Sequence, residues 1–116
     1  MLEKPVFLQG IFSATGKGFT DPVPFTPRAV YRVSPDRRSQ TIYFRIGNAS
    51  SELVSLILTR QGAVMRYFPV GAKNAIHVAL AVQEDISPDT AIEVLLAAPD
   101  GLDVSIVLDV GFMEVS

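Results

Sequence analysis

Apolar residues recur along this chain mostly at every second position, in runs interrupted by Pro, Gly, Asp and Asn, the spacing of strands with one packed face and one wet face. Val6 to Ala14 predicts a first strand and Ala29 to Val33 a short second one. Between them lies an irregular stretch, Thr15 to Pro27, where Gly16, Gly18, Pro22, Pro24 and Pro27 oppose regular pairing. The Ser34-Pro35-Asp36 turn follows, its proline presetting one φ angle. Gln40 to Gly47 then alternates cleanly, with Ile42, Phe44 and Ile46 on one face and Thr41, Tyr43 and Arg45 on the other. Leu53 to Thr59 and Val64 to Val70 flank Arg60-Gln61-Gly62-Ala63, a Gly-containing link that suits a hairpin. Ala75 to Gln83, Ala91 to Ala98 and Leu102 to Val115 complete the set, the last two joined through Pro99-Asp100-Gly101.

Two places strain this pattern. Ser51 could cap a helix and Glu52 would favour its positive end, so Ser51 to Arg60 admits a short helix as well as the preferred strand. In the final strand Leu102, Val104, Ile106, Leu108 and Val110 share a face, and the same parity would carry Phe112 and Glu114 inward. A β-bulge at Gly111 is expected to reverse the parity and release Glu114 to solvent.

About eight strands without a convincing helix predict an all-β fold: a two-sheet antiparallel sandwich of jelly-roll or immunoglobulin-like type, with a small β-barrel as the alternative. Residues 1–116 are expected to form a single domain. The predicted core comprises the two inward sets Ile42, Phe44, Ile46 and Ile76, Val78, Leu80, together with Ile92, Val94, Leu96 and then Leu102, Val104, Ile106, Leu108.

Several strands are apolar or small on their second face too. Ile76, Val78, Leu80 and Val82 oppose Ala75, His77, Ala79 and Ala81; Ile92, Val94 and Leu96 oppose Ala91, Glu93, Leu95 and Ala97; Val54, Leu56 and Leu58 oppose Leu53, Ser55, Ile57 and Thr59. A chain of 116 residues has little mass with which to cover them. A homo-oligomer is therefore expected, with His77, Ala79, Ala81, Glu93 and Leu95 as candidate interface residues.

Charge changes the picture more than composition does. The formal net charge is only −2, yet residues 28–73 hold eight basic side chains against two acidic, and residues 74–116 hold eight acidic and no Lys or Arg. Such blocks either face each other or present opposite surfaces. With no cysteine there is neither a disulfide framework nor a thiolate centre. No apolar run is long enough to cross a bilayer, so no membrane partner is expected. The start, Met1-Leu2-Glu3-Lys4-Pro5, is unlike a signal peptide, which favours the cytoplasm as the expected compartment.

Catalytic chemistry finds no foothold. The single His77 sits among alanines with no second ligand at metal spacing, so neither a metal nor another cofactor is expected. Ser13, Ser39, Ser50 and Ser51 show no nucleophile motif. Thr15-Gly16-Lys17-Gly18 lacks the spacing and the helix of a phosphate loop, and Glu84, Asp85 and Asp89 lack the spacing of a calcium loop.

Seven arginines between Arg28 and Arg66 interleave with Tyr31, Tyr43 and Tyr67, as on single-strand nucleic-acid surfaces, but a pI of about 5.2 and the acidic final third argue against nucleic acid. Arg32, Arg45, Arg66 and Tyr43 are the candidate contacts to an anion or other polar ligand. The leading expectation is a non-enzymatic structural or interaction module that self-associates. The alternative is a module binding a sugar or another polar small molecule, whose site would combine these residues with the Thr15 to Pro27 stretch.

Overall fold

In a computed structural model, residues 3–81 and 84–116 are described; they form eight strands and no helix. The strands are β1 (Glu3–Thr15), β2 (Gly18–Arg32), β3 (Arg38–Asn48), β4 (Val54–Arg60), β5 (Ala63–Val70), β6 (Asn74–Ala79), β7 (Ala91–Ala98) and β8 (Asp103–Val115). All pairings are antiparallel, in the order β5-β4-β7-β2-β1-β8-β3-β6. Only Ser13 and Thr26 pair β1 with β2, so the ribbon folds at that corner into two four-stranded sheets. Its ends, β5 and β6, are not hydrogen-bonded to each other. The result is the predicted sandwich and not a closed barrel.

The core lies where the period-two sets meet. Phe44, Ile46, Val104, Ile106 and Leu108 of one sheet and Leu56, Leu58, Ile92, Val94 and Leu96 of the other are buried in a single cluster. Rings bridge the sheets: Phe44 stacks on Phe68 with centroids 3.9 Å apart, and Tyr31 meets Phe112 at 4.2 Å. Ile76, Val78 and Leu80, on or just past the edge strand β6, pack against the cluster half-buried, as does Leu102 just before β8. Residues 54–60 are strand, the inward Leu56 and Leu58 deciding against the helix.

Three expectations are corrected. First, the stretch Thr15 to Pro27 is not a loop: β2 runs from Gly18 to Arg32 as one strand with two register shifts on β7. The second shift carries Phe25 to Arg28 out of the ladder between Pro24 and Ala29, and there Thr26 reaches β1. Pro22 falls in the first shift and Pro27 in the second, where a missing donor costs least, while Pro24 stays in the ladder opposite Leu95. Second, β6 ends at Ala79, so Ala81 lies beyond the strand; Val82 and Gln83, also assigned to it from sequence, fall outside the described residues.

Third, β8 has no bulge at Gly111. Its ladder to β1 is regular from Asp103 to Val115, and the irregularity lies in β3, where Ile42 is extra between Thr41, opposite Phe112, and Tyr43, opposite Gly111. Thr41, expected outward, is thus buried, and Ile42, expected in the core, is half-buried outside the cluster. Glu114 therefore stays inward and is only 1% exposed. It is tolerated because it is saturated with donors: the Tyr31 hydroxyl at 2.5 Å, the Ser34 hydroxyl at 2.7 Å and the Ser34 amide at 3.2 Å. The Ser39 Oγ lies 3.0 Å from the Tyr31 oxygen, whose one proton goes to Glu114.

Candidate functional site

The charge blocks face each other inside one chain. Arg28 pairs with Glu93, Arg38 with Asp85, Arg45 with Asp109, and both Arg60 and Arg66 with Glu84. Each pair joins the basic stretch to the acidic one, so the segregation along the sequence is cancelled by neighbouring strands and loops. Glu84 and Asp85, considered for calcium, are taken up by arginines, and Asp85 also accepts from Gln40 at 3.0 Å. The Thr15-Gly16-Lys17-Gly18 turn is explained by close packing, since a side chain at Gly16 would run into the Ala98 and Pro99 carbonyls.

The outer face of the β1-β8-β3-β6 sheet is different. Pairing registers place its outward side chains in rows across four strands. One row is Phe7, Gly111, Tyr43 and Ala79; the next is Gln9, Asp109, Arg45 and His77; the third is Ile11, Val107, Gly47 and Ala75. In the third row Ile11 is 70% and Val107 60% exposed, an uncovered apolar step, and beside it Gly47 and Ala75 leave the sheet low. A hollow of about 540 Å³ opens there, with Ser105, Lys73 and Asn74 around it. The fold does not require glycine at position 47, since an added Cβ would meet only the Val107 Cβ, at an ordinary 3.9 Å. The missing side chain mainly keeps the hollow open.

Glycine at position 111 has the opposite reason. The Tyr43 ring lies across its backbone, where any Cβ would collide with it, so an aromatic side chain covers a glycine on the neighbouring strand. The His77 ring meets Tyr43 edge-on, centroids 5.8 Å apart. Held between them, Tyr43 donates its hydroxyl to Asp109 Oδ1 at 2.8 Å; Gln9 Nε2 donates to the same oxygen at 3.1 Å, and Arg45 Nη1 stands 3.6 Å from Oδ2. Burial raises the Tyr43 pKa, and the bond to the Asp109 carboxylate raises it further, so the phenol keeps its proton. The site thus presents a fixed carboxylate, a guanidinium and a phenol beside an apolar step.

Sequence reasoning named Tyr43 and Arg45 as ligand contacts and His77 and Ala79 as interface residues, and the structure sets these four on adjoining rows of one face. It separates the rest. Arg32 donates to the Asp89 carbonyl at 2.6 Å and Arg66 pairs with Glu84. Glu93 and Leu95 lie on the outer face of the other sheet, so they share no surface with His77 and Ala79. Asp109, Gln9, Ile11, Val107 and Gly47 were missed. The available signal was the outward set of the last strand, Ser105, Val107 and Asp109, where a valine stands among polar neighbours.

No three His, Cys, Asp or Glu side chains among the described residues gather to hold a metal ion. No protein-family model matches the chain, and no curated protein is similar to it in sequence. Its fold is that of small β-sandwich domains. Among solved structures it is similar to a carbohydrate-binding module, CBM36, in complex with calcium and xylotriose (TM-score 0.59, 16% identity, covering 97% of this chain and 99% of that one). It is similar to the CBM36-1 domain of a multidomain xylanase from the hindgut metagenome of Trinervitermes trinervoides (0.56, 11%, 93% and 98%). A family 35 carbohydrate binding module from Clostridium thermocellum also shares the architecture (0.54, 14%, 94% and 97%). At these identities the likeness shows the fold alone.

Proposed function

We propose that the protein is a non-enzymatic carbohydrate-binding module whose site is the outer face of β1-β8-β3-β6. The observation that carries this reading is the Tyr43–Arg45–Asp109 cluster beside the open hollow over Gly47 and Ala75. A sugar ring offers neighbouring hydroxyls, each both donor and acceptor, and an apolar C–H face. Arg45 and Asp109 supply a donor and an acceptor side by side, while Ile11 and Val107 supply the apolar contact. Solved domains of the same fold are carbohydrate-binding modules, one of them with xylotriose, which supports the choice of ligand class. The one carboxylate of the cluster, Asp109, is engaged by Arg45, Tyr43 and Gln9, and among the described residues no further carboxylates gather round it to hold a calcium ion.

Calorimetry with xylotriose, widened to a glycan array, tests the proposal. Arg45→Ala, and Gly47→Leu, which fills the hollow, should each weaken binding by about tenfold or more, the loss of a charged hydrogen bond or of the cavity. Unchanged affinity in both variants would overturn it, as would an array without a bound glycan.

Self-association is the second reading, and it belongs to the other outer face. There Tyr67 is 65% exposed next to Ile57, and Val64 and Val30 stand exposed around half-buried Leu95. Hydrophobic contact alone would have to drive it, because the charges expected at its rim already pair within the chain. Light scattering at micromolar concentration distinguishes a dimer from a monomer.

A further inference from the structure

The hollow over Gly47 is the middle of something longer. It shares Gly47, Ala75 and Val107 with a second hollow of about 460 Å³ that reaches Arg45, His77 and Asp109. It shares Ser105 with a third of about 400 Å³ that runs on to Thr15, Asp103 and Thr26. Shared linings make the three hollows adjoin, with the Ile11–Val107 step rising among them. The three form one trough that crosses the sheet obliquely, from β6 to the corner where β2 meets β1. Along β8 it extends from Asp109 to Asp103, which at about 3.4 Å per residue is about 20 Å, far longer than one sugar ring.

The trough is also patterned. Going down β1 and β8 two residues at a time, the rows are Gln9 with Asp109, Ile11 with Val107, Ser13 with Ser105, and Thr15 with Asp103. The polar rows are pairs bonded to each other across the strands, at 3.1, 2.9 and 2.7 Å, so their side chains are held in place before a ligand arrives. Each pair keeps unused hydrogen-bonding capacity, and only the Ile11–Val107 row is apolar.

We infer that the ligand is a linear glycan lying lengthwise in this trough, and that Ser13, Thr15, Asp103 and Ser105 form a far subsite. This rests on the carbohydrate-binding reading and adds to it the shape of the ligand and a second group of contacts. The near subsite is the Tyr43–Arg45–Asp109 cluster. Ile11 and Val107 form the saddle over which the chain passes.

The experiment uses an array of linear oligosaccharides, from disaccharide to octasaccharide in several linkages, followed by calorimetry on the best-bound series with the unmodified protein, Arg45→Ala, Asp103→Ala and Thr15→Val. Thr15 and Asp103 are exposed, so their replacement leaves the core intact. Affinity should rise about tenfold or more from disaccharide to hexasaccharide. Asp103→Ala and Thr15→Val should cancel much of that gain while leaving the disaccharide unaffected, and Arg45→Ala should weaken every length. Affinity independent of length, or a hexasaccharide indifferent to both far-end changes, would overturn this inference and leave the near site standing. No binding at any length, or indifference to Arg45→Ala, would overturn the functional reading and this inference with it.

Discussion

On strand β8 Glu114 and Asp109 each accept a hydrogen bond from a tyrosine hydroxyl, and the two pairs have opposite fates. Glu114 meets Tyr31 inside the sandwich, with Ser34 supplying two further donors. Asp109 meets Tyr43 on the outer face, with its side chain 24% exposed and Arg45 at 3.6 Å. Burial dominates both tyrosines and raises their pKa values, and the carboxylate partner adds to the rise. What separates the pairs is spare capacity. The inner carboxylate has no access to solvent, so its bonds can only hold the fold together. The outer one stands beside a hollow and can exchange water for a ligand.

Replacing each carboxylate by alanine is the largest test of that contrast. Glu114→Ala strands the Tyr31 hydroxyl and the Ser34 donors in a dry interior and opens a cavity, and should cost about 2–4 kcal/mol. Asp109→Ala should cost less than about 1 kcal/mol, because the groups it releases can turn to water. Urea denaturation of the two variants measures both. Equal losses would mean that Asp109 is as structural as Glu114, and the outer cluster would lose its claim to be a site.

Acid sharpens the comparison with a smaller effect. Burial alone would raise the Glu114 pKa, but the Tyr31 and Ser34 bonds and the charge of Lys4 outweigh it, and the pKa is lowered. A carboxylate with a folded-state pKa below its unfolded value stabilises fully above the unfolded value, and the contribution fades as pH falls through the folded one. Stability should therefore decline as the pH drops below the ordinary glutamate range, and Glu114→Gln should flatten that part of the profile. A Gln variant with the same acid dependence as the parent would assign the loss to other carboxylates.

These two pairs also mark how far the sequence could be read. Period-two sets such as Ile92, Val94, Leu96 and Val104, Ile106, Leu108 became core because burial on a strand depends on local alternation alone. Glu114 obeys the same alternation, and it was its charge that argued for a bulge. Its donors Tyr31 and Ser34 lie 83 and 80 residues away, so the local sequence showed an unpaired charge where the fold has a satisfied one. The bulge was expected at a glycine and occurs at Ile42, because the pairing of β3 with β8, and not composition, decides which strand takes the extra residue. The site was half legible for a similar reason. Tyr43, Arg45 and His77 drew attention as individual side chains, whereas Asp109, Val107 and Ile11 join them only through registers that no single strand contains.

Gly111 links the inner and outer regions, and its replacement should give the smallest change in stability with a distinct change in function. The residue faces outward, so a methyl group there leaves the Phe112 and Glu114 packing on the opposite face in place, and an alanine gains slightly over glycine in a strand. The methyl would, however, occupy the space of the Tyr43 ring. Because that ring lies at the surface it can swing away, and the net cost should stay at about 1 kcal/mol or less, under the range for overpacking in a closed core. Once displaced, Tyr43 no longer reaches Asp109, and its edge contact with His77 is lost. Gly111→Ala should therefore weaken glycan binding by about the same factor as Tyr43→Phe, within threefold, since both remove the hydroxyl from the Asp109 carboxylate. A Gly111→Ala protein that binds as the parent does would show that Tyr43 is not part of the binding face, and would leave Arg45 and Asp109 to act without it.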